Sequence, residues 1–273
     1  METKKIALIV EYEGTRYHGS QIQAGLPTIQ GELERAIGKI TGERIRISCA
    51  SRTDQGVHAR GQVVAFRTDS ALPPQTLLRA LNYYLPEDIA IREALRVNDD
   101  FDVRRGALSR EYCYYLLNSV IPSPLLRRST YFMPRPVDID AMNEACQALL
   151  GTHDFASFAS SINGKKNTVR TIYKAAVTRE GDLVIFHVVA NSFLPHQVRH
   201  TIGALVNVGL GKKDMAAFHE ILRSKKSAAA GPALPPHGLC LLKVRYPDGV
   251  IRPGRSATKK LTSNFEVIVQ KIR

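Results

Sequence analysis

The sequence predicts an α+β fold built on a mixed, largely antiparallel sheet. Three observations carry this. Segments with strand period and segments with helix period are interspersed along the chain rather than grouped. The strand-like segments 169–179 and 182–190 meet at Glu180-Gly181-Asp182, which reads as a hairpin turn. Other strand-like segments are separated by helical ones, which supply crossovers. Apolar residues make up 44% of the 273 positions, enough for a sizeable core and too many for wholesale disorder. That length fits one large unit or two fused ones, at roughly 100–200 residues per domain.

Residues 5–12 have the pattern of a first strand. The short apolar run of METKKIALIVEYEG alternates into Glu11 and Glu13 and does not read as a signal peptide. A polar loop covers 15–27. Thr28 is a suitable N-cap, Ile29, Leu33, Ile37 and Ile40 recur at helical spacing, and Gly42 ends the helix. Ile45, Ile47 and Cys49 alternate with Arg44, Arg46 and Ser48, which predicts a strand. The turn-rich stretch SRTDQGVHARG (51–61) leads into the strand QVVAFR, and a helix over 75–84 and a strand over 88–96 complete this half.

The second half resumes with a strand over 109–118, followed by a Pro/Arg-rich connection over 121–136. Asp138 caps a helix over 138–150, with Ile139, Met142, Cys146 and Leu149 inward and Gly151 after it. Beyond the hairpin come helices over 196–209 and 214–224, the turn PALPP and a strand over 239–246. The expected division is 1–107, 108–247 and a basic tail over 248–273, which reads equally as an RNA-contacting arm or a solvated end.

Charge narrows the partners. Lys plus Arg number 38 against 25 Asp plus Glu, giving +13. That excess suits a polyanion, either nucleic acid or an anionic membrane surface. No run approaches the roughly 20 apolar residues of a membrane span. Cys49, Cys113, Cys146 and Cys240 are scattered without a CxxC pair, which argues against a zinc ribbon or a disulfide framework and for a reduced, cytoplasmic setting.

Three places can carry chemistry. In the 51–61 turn, Arg52 and Asp54 stand at a strand end and Gly56 permits a positive φ. The pair reads as an ion pair with a turn-forming role, or as a carboxylate kept ionised in a basic cleft and available as nucleophile or base. On the 196–209 helix, Val198, Ile202, Leu205 and Gly209 share one side, and His196, Arg199, His200 and Gly203 the other. That second face is either solvated, or a cationic stripe whose glycine admits a backbone or ligand. On the 109–118 strand, Arg110, Tyr112, Tyr114 and Leu116 share a face, where Tyr112 packs in the core or stacks on a nucleobase. His196 and His200 are spaced like a metal pair, but Gln197 stands where the zincin motif requires Glu, and no metal site is expected.

These elements, in this order, resemble the TruA family of tRNA pseudouridine synthases. SRTDQGVHARGQVVAF (51–66) is similar to the family's aspartate segment, and FDVRRGALSREYCYYL (101–116) to its tyrosine segment. YEGTRYHGSQIQ (12–23), TIQGELERAI (28–37), GTHDFASF (151–158), NTVRTI (167–172), SFLPHQVRHTIGALVNVGLG (192–211) and AGPALPPHGLCL (230–241) match further landmarks. Ser20 stands where the family often has Trp or Phe, Ser51 where Gly is usual and Ala233 where Thr is frequent.

The resemblance implies a pseudouridine synthase fold: two pseudo-symmetric α+β halves with a central cleft. It implies a homodimer in which tRNA contacts both subunits. The activity implied is isomerisation of uridine to pseudouridine at positions 38, 39 and 40 of the anticodon stem-loop, with no cofactor and no metal. Asp54 is then the nucleophile, Arg52 helps displace the target base, Tyr112 stacks on it and Arg199 pairs with Asp54. Arg110, beside Tyr112, and Gln21, in the first loop, are further substrate-binding candidates. Two other readings stand beside this one: a non-catalytic RNA-binding module, and a metal-dependent hydrolase built on His58, His196 and His200.

Overall fold

The structure is a computed structural model that describes residues 3–160 and 167–251. The first half supplies strands β1 (Lys4–Tyr12), β2 (Ser48–Cys49), β3 (His58–Thr68) and β4 (Ile89–Val97), with helices α1 (Ile29–Thr41) and α2 (Pro74–Tyr84). The second supplies β5 (Ser109–Leu117), β6 (Tyr131–Phe132), β7 (Gly151–Asp154), β8 (Val169–Glu180), β9 (Leu183–Ala190) and β10 (Leu239–Arg245), with α3 (Ile139–Gln147), α4 (Gln197–Gly209) and α5 (Met215–Ser224).

All these strands join one sheet in the order β4-β1-β3-β10-β5-β9-β8-β7, with β2 added to β3 and β6 to β5. The order repeats itself. In the first half β1 lies antiparallel between β4 and β3, and in the second β5 lies antiparallel between β10 and β9. The two triplets meet where β10 runs parallel to β3, through only two residue pairs, Cys240 with His58 and Leu241 with Ala59. The α+β class and the mixed sheet are therefore as the sequence predicts. The parallel seam lies at the start of β3, directly after the Asp54 turn.

Local chemistry sets the helix ends. Thr28 Oγ1 accepts from the Gly31 amide at 3.2 Å, and Gly42 closes α1 at φ 74°. Asp138 and Asp214 cap α3 and α5 by accepting from Ala141 and Ala217. Each such cap contributes about 0.5–2 kcal/mol. Ile29, Leu33, Ala36 and Ile37 carry α1 into the core.

Three expectations shift, and one open alternative is resolved. Ile45 and Ile47 are buried and Arg44 and Arg46 exposed, as the alternation predicts, yet only Ser48–Cys49 pairs as a strand. Side chains of α1 take the groups a neighbouring strand would use: Glu34 accepts from the Ile47 amide and Gln30 donates to its carbonyl. The turn is shorter than 51–61, because β3 begins at His58, where it can pair with β10. Helix α3 stops at Gln147, and Gly151, at φ 90°, opens β7 instead of merely following a helix. Of the cationic face of α4, His196 and Arg199 line a cleft, whereas His200 and Gly203 are buried. The segment 230–234 covers these two, and a Cβ on Gly203 would lie 2.7 Å from the Pro232 carbonyl oxygen. The expected close approach at Gly203 is thus made by the chain's own backbone. Among the described residues no helix is long and apolar enough to cross a membrane.

Candidate active site

The turn carrying Asp54 is held on every side. Gly56 takes φ 78°, which lets the chain reverse, and Val57 N–H donates to the Asp54 carbonyl at 3.2 Å. Gln62, fully buried on β3, brackets Ser51: its Oε1 accepts from the Ser51 amide at 3.2 Å and its Nε2 donates to the Ser51 carbonyl at 2.7 Å. The Thr53 hydroxyl meets the Tyr12 hydroxyl at 2.8 Å. Ser20 Oγ accepts from the Thr53 amide at 2.8 Å, and the Ser20 amide donates to the Thr53 carbonyl at 3.0 Å. The small residue that replaces an aromatic in the first loop thus braces the turn directly. A buried polar network satisfied to this degree fixes one geometry.

The Asp54 carboxylate emerges into a cleft of about 430 Å³, lined among others by Thr15, Gln55, His196, Arg199 and His237. Arg199 Nη1 donates to Asp54 Oδ2 at 3.2 Å. His196 Nε2 lies 3.3 Å from the same oxygen. Asp54 Oδ1 has no hydrogen-bond partner among the described residues, and the side chain is 32% exposed. Arg199 is itself pre-aimed, since its Nε donates to the Leu234 carbonyl at 2.7 Å while its own carbonyl accepts from the Leu234 amide. An arginine tethered in this way loses little freedom when it pairs with a carboxylate. The partner of Asp54 is therefore Arg199, some 145 positions away in sequence, and not the adjacent Arg52.

The profile described as tRNA pseudouridine synthase matches residues 8–104 and 145–247. The first block contains Asp54 and the second contains Arg199, so the two sides of the ion pair both lie in matched sequence. The chain belongs to the tRNA pseudouridine synthase family. Among its relatives, the tRNA pseudouridine synthase A of Acetivibrio thermocellus is 42% identical over 243 residues, covering 89% of this chain and all of the relative. That of Chloroflexus aurantiacus is 43% identical over 256 residues, covering 91% of each chain. That of Shewanella amazonensis is 39% identical over 245 residues, covering 89% and 94%.

The remaining sequence candidates of this synthase fall into different places. Tyr112 sits beneath the turn, with its hydroxyl 2.9 Å from Ser51 Oγ and Phe193 edge-on at 5.2 Å. Its ring is buried, and burial pushes its pKa up to about 12, so the phenol stays protonated at neutral pH. Arg110 does not open onto the cleft. Its two terminal nitrogens donate to the carbonyls of Ala107, Asn191, Ala50 and Arg104 at 2.7–3.2 Å, clamping three segments at the root of the turn. Arg52 and Gln21 are exposed, and neither side chain pairs with another described residue.

The histidines do not converge as a metal site would require. His58 Nδ1 accepts from the Gly14 amide at 3.0 Å, which makes Nε2–H the donor to the carbonyls of Arg128 (2.8 Å) and His237 (3.0 Å). Burial lowers its pKa, and both ring nitrogens are committed to backbone. His200 is turned to the Gly231 carbonyl at 2.7 Å. Among the described residues no three His, Cys, Asp or Glu side chains group at metal-binding spacing. The hydrolase reading has no geometry behind it. Sequence reasoning missed His196 beside Asp54, Gln62 and Ser20 as braces, and His58 as a staple. Their neighbours come from distant elements, so no local spacing signals them.

Proposed function

We propose that this synthase isomerises uridine to pseudouridine in tRNA, at positions 38, 39 and 40 of the anticodon stem-loop, with Asp54 as its catalytic carboxylate. The observation that carries the reading is the asymmetry at Asp54, which lines an open cleft: Oδ2 is engaged by Arg199, and Oδ1 has no hydrogen-bond partner among the described residues. The reaction breaks the C1′–N1 bond, forms a C1′–C5 bond, gives N1 a proton and removes one from C5. It balances without oxidant, reductant or metal. Two roles for Asp54 satisfy it: addition to C6 of the base, or removal of the ribose C2′ proton. The target base must leave its stack, which costs a few kcal/mol. Arg52, exposed at the turn, is assigned to fill the vacated space, and Tyr112 to support the extruded uracil. Gln21 is assigned to an RNA contact at the first loop. Arg110 is assigned a supporting place under the turn, on the strength of its four carbonyl contacts.

We read residues 1–107 and 108–247 as the two halves, which the repeated strand order supports, and 248–273 as a tail. Its residues from 252 onward lie outside those described. We infer a homodimer, as the TruA resemblance implies, working in the reduced cytoplasmic setting that four scattered cysteines without a CxxC pair suggest. The test is tritium release from C5-labelled uridine in tRNA, followed by mapping of the modified positions. Release with pseudouridine at 38–40 is the expected result. Tight tRNA binding without release would make the chain a non-catalytic RNA-binding module.

A further inference from the structure

His196 is the N-cap residue of α4, with φ 59° and ψ 5°, and its side chain caps nothing. N-caps normally adopt extended backbone and carry Ser, Thr, Asp or Asn, whose oxygens hold the first helical amides. A non-glycine residue in the left-handed region is strained, and strain of this kind persists where the surroundings hold it for a purpose. Here the ring is held at both nitrogens. Nδ1 contacts the Ser160 hydroxyl, and Nε2 lies 3.3 Å from Asp54 Oδ2, a charge contact without hydrogen-bond alignment. A hydroxyl donating to Nδ1 leaves the proton on Nε2, the nitrogen on the carboxylate side.

We propose that His196 is a positioning residue for Asp54. The inference rests on Asp54 being the catalytic carboxylate. Arg199 alone fixes one point of the carboxylate, about which it can still turn. A second group against the same oxygen, the His196 imidazole arriving from the left-handed corner at 196, restricts that rotation and is placed to donate once substrate tightens the site. Oδ2 is thereby retained by the protein and Oδ1 is presented to substrate. The left-handed backbone is what swings the ring off the helix axis towards the turn. The corner is thus kept for the site and not for the helix, since glycine or asparagine would cap α4 with less strain.

The experiment compares His196→Gly, His196→Gln and Asp54→Asn by single-turnover tritium release, KM for tRNA and thermal unfolding. Glycine relieves the strain and removes the donor, whereas glutamine keeps an N–H of similar reach and keeps the strain. His196→Gly is expected to melt no lower than the wild-type protein, to lose about tenfold or more in kcat, and to keep KM within about twofold. His196→Gln is expected to recover much of that loss with a wild-type melting temperature. Wild-type kcat in His196→Gly overturns the proposal, and so does a fall in melting temperature that accompanies the loss. Glutamine no better than glycine overturns it as well. If Asp54→Asn stays active, the reading of the site itself fails. If Asp54→Asn is dead and His196→Gly is fully active, only the role of His196 fails.

Discussion

Asp54 and Arg199 face each other because each is tethered separately, Asp54 through the braced 51–57 turn and Arg199 through Leu234. Lysine at 199 keeps the charge but cannot hold Leu234 and Asp54 at once with a planar fork. Arg199→Lys should therefore lose part of its turnover and Arg199→Ala nearly all of it, with tRNA affinity little changed. A filter-binding assay beside single-turnover kinetics separates the two effects, and lost affinity with normal turnover would make Arg199 a phosphate contact. His58 supplies a pH prediction. Burial lowers its pKa below that of an ordinary imidazole, so the unfolded chain takes up a proton that the folded one resists. Stability is then complete above about pH 6.5 and falls as pH drops below it, with His200 and His237 acting in the same direction. Melting temperatures from pH 7.5 to 5 should fall less steeply in His58→Gln than in the wild-type protein. At this scale the sequence made Asp54 and Arg199 legible through motif resemblance. The His196 contact was hidden, because it depends on a backbone corner that no spacing encodes.

Helices were more legible than strands. Thr28, Asp138, Gly42 and the apolar spacing of Ile29, Leu33 and Ile37 are local signals, and α1 and the start of α3 form where they predict. The 44–49 segment shows where locality stops: its alternation is obeyed in burial, but α1 side chains rather than a strand bind the Ile47 backbone. The polar face of α4 was ambiguous for a similar reason, since its cover comes from residues about thirty positions further on. That packing yields a prediction with opposing terms. Gly203→Ala gains up to about 1 kcal/mol of helix propensity. The added Cβ, however, would lie 2.7 Å from the backbone oxygen of Pro232, which cannot rotate away. Overpacking of this kind costs about 1–3 kcal/mol, so the net effect should be a lower melting temperature. Displacing 230–234 also moves the Leu234 carbonyl that aims Arg199, so turnover should fall with it. A stabilised, fully active Gly203→Ala would show that the segment yields freely.

The sheet centres on two strand triplets joined by a short parallel seam, with β8 and β7 extending the second, and the cleft opens where the seam begins. Asp54 lies just ahead of β3 and Arg199 on α4, so the pair forms only when these distant parts of the chain are folded together. The excess of 13 positive charges belongs to this scale too. Phosphate contacts release counterions, each adding roughly −0.7 to −0.9 to the log–log slope of affinity against salt. Binding of tRNA should therefore weaken steeply between low and physiological salt, and a flat titration would show that the charge is not spent on RNA. Binding resting on many phosphates and chemistry resting on one carboxylate can be separated, and that separation is the most direct test. The measurement is tRNA affinity and C5-tritium release for Asp54→Asn beside the wild-type protein. The account predicts affinity within a few-fold of wild type and turnover below about a hundredth of it. Turnover above that level, with the substitution confirmed, would contradict the assignment of Asp54 as the group on which the reaction turns.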